Sequence, residues 1–310
     1  MRITLGMQTN QTLLTLNDQQ EQINQLSQQI SSGKTLSSPS DDPSDWARTM
    51  NINQGLQEYN SILSGISFGT GWGQATSSAL SQLSNLVSQA QQIAVSAGSA
   101  TGISNSASLA SEVNGVLQQA VDLANSQYGD QYIFGGTSTA SAPFSIDDST
   151  GAVTDSGDQN SILVKTGTCN ASGGGSTAVN LTGNDVFSFS SGGQTLNVLK
   201  VIWGLGQALQ SGDSATISSD INTLNDAYNS INNQSAINGT MLSDLSNQQS
   251  AINVIQTNEK STLSSLQDTD VAKATTKLSQ VQAAFQAALQ VTGMLDNLNL
   301  TSYLSSTSTG

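Results

Sequence analysis

Fifteen residues between Ile217 and Leu266 set the strongest limit on what this chain can fold into. Ile217, Ile221, Leu224, Tyr228, Ile231, Ser235, Asn238, Leu242, Leu245, Gln249, Ile252, Gln256, Glu259, Leu263 and Leu266 follow one another at alternating three- and four-residue steps. Such steps keep one stripe on one side of a helix, and the stripe leaves water only when other helices lie along it. Sustained for about fifty residues, the pattern describes a helix longer than a globular domain uses. Proline permits it, because Pro39, Pro43 and Pro143 leave residues 44–142 and 144–310 free of helix breakers.

Weaker versions of the pattern occupy the rest of the chain. Leu16, Ile23 and Ile30 lie seven apart, with Leu5 and Leu26 in the complementary register and polar Thr12 and Gln19 between them. A helix over residues 2–30 therefore has a thin seam and is marginal alone. Trp46, Met50, Leu56, Tyr59, Leu63 and Ile66 predict a second helix from about Ser44, and Gly69-Thr70-Gly71 predicts a turn after it. Trp72, Ala75, Ala79, Leu83, Leu86, Ala90, Ile93 and Ala97 mark a third helix, and Leu109, Val113, Val116, Ala120 and Leu123 a fourth over about 104–127. A last helix starts near Asp270 and presents Leu278, Val281, Phe285, Ala288, Leu289, Thr292 and Leu295.

The segment between is different: 11 of the 28 glycines fall from Gly135 to Gly193, with Phe144, Phe187 and Phe189 in short alternating runs, which reads as strand and turn. Aromatics make up only 5% of the chain and hydrophobic residues 36%, so apolar side chains form stripes and not thick interiors. The fold class expected is mainly α with a β-rich insertion: a long antiparallel helical rod or coiled-coil bundle formed by both termini, plus a small Gly-rich β outer domain. Its parts are residues 1–43 with 267–310 as a terminal axial helical domain, 44–134 with 196–266 as a helical rod domain, and 135–195 as the β-rich outer domain.

Charge and chemistry narrow the function. With 8 Lys and Arg against 22 Asp and Glu, the net charge is −14 and no region is basic, which argues against nucleic acid and against anionic membrane surfaces as partners. Absence of His rules out serine-histidine and cysteine-histidine nucleophiles and an HExxH metal site. Cys169 is the single cysteine, so no intramolecular disulfide or thiolate metal cluster can form. Asp41 and Asp42 could suggest acid-base or metal chemistry, but capping of a helix start explains them better. Gly204-Leu205-Gly206 lies in a helical pattern, and Gly173-Gly174-Gly175 has no lysine to reach a phosphate, so neither makes a nucleotide site. No catalytic residue, cofactor or metal is expected. Nor is there an apolar run at the start resembling a secretory signal, or the ~20-residue apolar stretch of a membrane span.

Three motifs then carry a resemblance. Ser31-Ser32-Gly33-Lys34-Thr35-Leu36-Ser37-Ser38-Pro39-Ser40-Asp41-Asp42-Pro43 resembles the N-terminal hallmark of the flagellin superfamily. Its local sense is physical: Gly33 can take positive φ to close a helix, Asp42 can cap the next, and Pro43 suits a first turn. Gly129-Asp130-Gln131-Tyr132-Ile133-Phe134-Gly135-Gly136-Thr137, leading to Ala142-Pro143-Phe144, is similar to the helix-to-outer-domain transition of the superfamily's hook-filament junction branch. Leu266-Gln267-Asp268-Thr269-Asp270-Val271-Ala272-Lys273-Ala274, continuing through Phe285 to Leu289, resembles the superfamily's C-terminal export and assembly helix. Flagellins usually finish soon after a Leu-Ser-Leu-Leu-like segment, whereas Ser305 to Gly310 follow Leu304 here.

The resemblance implies a non-enzymatic subunit of the bacterial flagellum, exported through the type III apparatus without a cleaved signal peptide and helped by a cytosolic chaperone. It implies a layered homo-oligomer with another hook-associated protein on the hook side and flagellin on the filament side. Residues expected at subunit interfaces are Leu16, Ile23, Leu26, Ile30, Leu278, Val281, Phe285, Leu289 and Leu295. The alternatives are a filament-forming flagellin, or an adhesin or hydrolase whose Gly-rich segment is active.

Overall fold

The computed structural model describes residues 5–98, 105–167 and 175–307, the side chains of 5, 6, 8, 9 and 295–307 excepted. The elements are α1 (Leu5–Ser32), α2 (Pro43–Ala97), α3 (Ser106–Ala124), β1 (Gln127–Tyr128), β2 (Gln131–Tyr132), β3 (Phe144–Ile146), β4 (Val153–Asp155), β5 (Leu163–Lys165), β6 (Ser176–Ala178), α4 (Gly183–Phe187), β7 (Ser188–Ser191), β8 (Gln194–Asn197), α5 (Val198–Ser211), α6 (Ser214–Gln267) and α7 (Val271–Thr307). The fold is the expected mainly α class with a strand-bearing insertion. The long return helix is continuous over 54 residues. The chain divides into two compact units, Met1–Leu56 with Gln256–Gly310, and Gln57–Ile255.

The turn expected at Gly69-Thr70-Gly71 does not form; α2 runs unbroken for 55 residues. Its glycines serve close approach. A Cβ on Gly69 would lie 2.6 Å from Val179, one on Gly71 would overlap the Tyr128 hydroxyl, and one on Gly73 would lie 2.7 Å from Leu242. Each glycine costs about 1 kcal/mol of helix propensity, and the close packing it admits offsets that.

In the 57–255 unit the burial of α6 centres on a heptad: Ile217, Leu224, Ile231, Asn238, Leu245 and Ile252 are seven apart and at most 5% exposed, with Ala227 buried beside them. One core cluster joins Leu80, Leu83 and Val87 of α2, Val113 and Val116 of α3, Leu199, Ile202 and Leu205 of α5, and the first half of the α6 heptad. A second joins Ile62 and Ile66 of α2 to Val164, Val179, Leu245 and Ile252.

All described strands pair as antiparallel two-stranded hairpins: β1 with β2, β3 with β4, β5 with β6, β7 with β8. The β7–β8 turn places Gly192 at φ 57° and Gly193 at φ 79°, the twist-compatible conformation that only glycine takes freely at both positions. Too small for a core of their own, the hairpins share the helical one through Phe134, Phe144 and Phe187. The Phe187 ring meets Phe134 edge-on at 5.4 Å and Phe144 at 4.8 Å.

The glycine contacts predict opposite signs. Gly69→Ala should lower thermal stability by roughly 1–3 kcal/mol, because Val179 is stiff and cannot yield. Gly204→Ala in α5, with nothing within 4 Å of its Cβ, should raise it by about 0.5–1 kcal/mol. Denaturant melts of the two variants check both.

Candidate subunit interface

In the unit formed by the two ends of the chain, α1 and α7 lie antiparallel. Lys34 pairs with Asp268 at one end, and further along Gln11, Thr12 and Thr15 line a groove of about 350 Å³ with Ala287, Ala288 and Val291. The pair hides little. Leu16 and Ala274 are buried, whereas Ile23, Leu26, Ile30, Leu278, Val281 and Phe285 are half-buried and Leu289 is exposed. The Leu295 side chain lies outside the described residues. Sequence reasoning passed over a second set: Met7 (67% exposed), Leu13 and Leu14 on α1, with Val291 and Met294 (65% exposed) on α7. Met7 and Leu14 are seven apart and Val291 and Met294 three apart, so each helix keeps an apolar strip in water. Except for Leu289, the heptad residues with described side chains are those the helix pair at least half-buries, and the more exposed apolar residues fall outside that register.

The loops joining these helices to their neighbours are clasped together. Gly33, at φ 71°, ends α1 and donates its N–H to the Gln29 carbonyl. Thr35 N–H donates to the Gln267 carbonyl at 2.6 Å, Thr269 N–H donates to the Gly33 carbonyl at 2.9 Å, and Thr35 Oγ1 donates to the Asp268 carbonyl at 3.2 Å. Ser32 Oγ accepts from Lys34 N–H at 3.2 Å, and Leu36 is buried beneath the clasp's continuation. Backbone bonds of this kind leave no mark in the residue types that make them.

Asp41 and Asp42 act on backbone, not on each other. Asp41 Oδ2 accepts from Ser37 and Ser38 N–H, both at 2.8 Å, and these bonds hold its carboxyl below the usual carboxylate range. Asp42 Oδ1 accepts from Ser44 and Asp45 N–H at 2.9 and 3.0 Å, capping α2 just before Pro43. At the other loop Asp270 Oδ1 takes Lys273 N–H at 3.0 Å and caps α7, while Asp268 Oδ2 accepts from Ser264 Oγ at 2.5 Å.

The Tyr132–Phe144 motif belongs to the 57–255 unit and buries Ile133 to Gly136, Pro143 and Phe144, with the turn between them largely exposed. Phe134 and Phe144 are buried; Asn125 Nδ2 donates to the Phe144 carbonyl at 2.8 Å and its Oδ1 accepts Phe144 N–H at 3.0 Å, imitating a strand. Tyr132 N–H donates to Thr139, and Pro143 accepts Ser156 N–H at 2.8 Å. A Cβ on Gly135 would lie 2.6 Å from the Ser138 carbonyl. Asp158 ties the next turn down by accepting from Thr137 N–H at 2.7 Å and from its hydroxyl, which drives its carboxyl far below the usual range.

One carboxyl moves the other way. Desolvation of half-buried Asp220 on α6, helped by the charge of Asp213, pushes it up to about 6, and its Oδ2 has no hydrogen-bond partner. Among the described residues no group of three His, Cys, Asp or Glu could hold a metal, and no helix is long and apolar enough to cross a membrane.

What the geometry defines is a helical bundle protein whose candidate site is an incompletely covered apolar face and not a reaction centre. The profile of the bacterial flagellin N-terminal helical region matches residues 3–139, and that of the C-terminal helical region matches residues 221–304. Together they span more than half of the sequence, and the chain belongs to the bacterial flagellin family. It is 33% identical over 146 residues to flagellar hook-associated protein 3 of Salmonella typhimurium, covering 46% of each. The chain thus spans about half the length of this curated relative. The solved structure of a flagellar hook-associated protein from Vibrio parahaemolyticus superposes with a TM-score of 0.64 at 18% identity, over 74% of this chain and 100% of that one. That of the flagellar junction protein FlgL from Legionella pneumophila gives 0.57 at 14% identity, over 71% and 100%. These two likenesses establish the fold.

Thr35→Pro removes the N–H that reaches Gln267, and about 1 kcal/mol lost there should speed exchange of the Thr269 amide roughly five-fold with the 57–255 amides unchanged, as hydrogen-exchange mass spectrometry would read. Asp220 gives a pH prediction. Because its folded pKa is raised above the unfolded value, the stability linked to its protonated form is complete below about pH 4 and is lost as pH rises through about 6. Asp220→Asn should remove that decline and be more stable by about 1 kcal/mol at pH 7, after allowance for solvent screening, and the two chains should converge below pH 4. Urea melts across that range decide it.

Proposed function

We propose that this chain is a structural, non-enzymatic component of the bacterial flagellum that forms the junction between hook and filament. The observation that carries the reading is the apolar face α1 and α7 leave open: Met7, Leu13, Leu14, Leu289, Val291 and Met294 are each at least 48% exposed. Covering each by a neighbouring subunit would contribute ~1 kcal/mol, enough in sum to offset the ordering of two otherwise marginal helices. Folding of the ends and association are then one event.

In this reading residues 1–43 with 267–310 are the terminal axial helical domain, 44–134 with 196–266 the helical rod domain, and 135–195 the β-rich outer domain. Leu16, Ile23, Leu26, Ile30, Leu278, Val281, Phe285, Leu289 and Leu295 lie at or behind the subunit contacts. Copies form a layer between another hook-associated protein and flagellin, outside the cell, after unfolded export through the type III apparatus with a cytosolic chaperone. Support comes from the names of the relatives, one called hook-associated protein 3 and another a flagellar junction protein.

Two variants test it in cells lacking the native copy, with a label imaged on isolated flagella by electron microscopy. Native protein should sit only at the hook-filament boundary. Leu14→Asp, on an exposed position, should leave the purified chain as stable as before yet cut incorporation at least tenfold; Phe285→Asp should abolish it while the 57–255 unit stays folded. Normal filament attachment in both variants rejects the interface, and label along the whole filament rejects the junction in favour of a filament-forming flagellin.

A further inference from the structure

The buried seam of α6 contains one anomaly. Of its six seven-spaced positions five are Ile or Leu, and the sixth, Asn238, is fully buried. Helix α2 carries a matching series, Ile66, Gly73, Leu80, Val87 and Ala94, also seven apart and all buried. Read in opposite directions, the two series place Gly73 against Asn238. There the contacts are explicit: Asn238 Nδ2 donates to the Gly73 carbonyl at 2.8 Å and to Ser77 Oγ at 2.9 Å. Leu242, four residues on from Asn238, fills the space left by the absent Gly73 side chain.

A seam of repeating aliphatic residues has a built-in ambiguity. Sliding α6 along α2 by seven residues, about 10 Å, returns Ile or Leu to most layers and loses little burial. The same slide would set the Asn238 carboxamide beside Ile66 or Leu80, where an unpaired buried amide costs about 1–3 kcal/mol, and would strip the Gly73 layer of its donor. We infer that Asn238 is a register lock: it selects one axial offset of α6 on α2 by making the heptad-shifted offsets unsatisfied. Its own Oδ1 has no partner in the native offset, so the residue sacrifices stability that a leucine would supply, as expected where a buried polar side chain specifies register.

The test places spin labels at the exposed positions Ser78 and Thr240 in a full-length chain carrying Cys169→Ser, and reads their separation by pulsed dipolar spectroscopy. The native residue at 238 should give a single distance. Asn238→Leu should melt no lower than native yet add a second distance population, its shift smaller than the ~10 Å axial slide because the labels are also separated across the helices, holding at least a tenth of the molecules. Asn238→Ala, which cannot overpack, should show the same second population, and it decides the matter should the leucine chain fail to fold. A single, unshifted distance in the folded variants would overturn the lock and leave Asn238 as an ordinary buried hydrogen-bonding residue.

Discussion

Seven-residue spacing of buried aliphatic side chains along two very long helices is the constraint from which the rest of the 57–255 unit follows. Only a thin line of atoms is hidden on each helix, so the lines must be pressed close for the burial to count. Close approach requires small residues where the pressing is tightest, and Gly69, Gly71 and Gly73 supply it within one turn of α2. Nearness in turn exposes the Gly73 carbonyl to a side chain from the opposite helix, and Asn238 takes it. Spacing, glycine and buried amide are thus one arrangement.

Polar side chains accomplish by local bonding what aromatic bulk does in other proteins. Helix starts are closed by Asp42, Asp270 and Asn197, and Asp213 does the same for α6 through Ala215 and Thr216 N–H. The capping box at Thr182 and Asp185 fixes even the five-residue α4. With ends secured, helices this poor in large apolar residues can persist without thick cores. The α1–α7 pair hides far less of its apolar surface than the helices of the 57–255 unit do, so its strips stay wet.

Much of this was legible in the residues. The α6 heptad, the caps at Gly33 and Asp42, and much of the strand-and-turn character of residues 135–195 arise from local preferences that residue types record directly, although Phe187, read in an alternating run, ends the short helix α4. Gly69 to Gly71 was misleading because glycine has two uses, positive φ and absent bulk, and sequence cannot say which one operates; here the backbone stays helical and Tyr128 and Val179 occupy the freed space. The clasp between Lys34 and Asp268 is formed by main-chain groups, which every residue carries, so no pattern announces it. Asn125 bonding to the Phe144 backbone across nineteen residues is invisible for a related reason: an asparagine before a turn is ordinary, and its partner is not a side chain.

The two halves of the design place different demands on the same kind of helix. Where α6 meets α2 the seam is complete, so the remaining freedom is axial, and a single polar layer removes it. Where α1 meets α7 the seam is incomplete, so the remaining freedom is to accept further helices, and leucine, valine and methionine at the surface are what such helices would bury. A net charge of −14 carried by a chain with only eight basic residues keeps those surfaces apart from one another at low concentration through mutual repulsion. Association through those strips would therefore need enough apolar contact to exceed that repulsion.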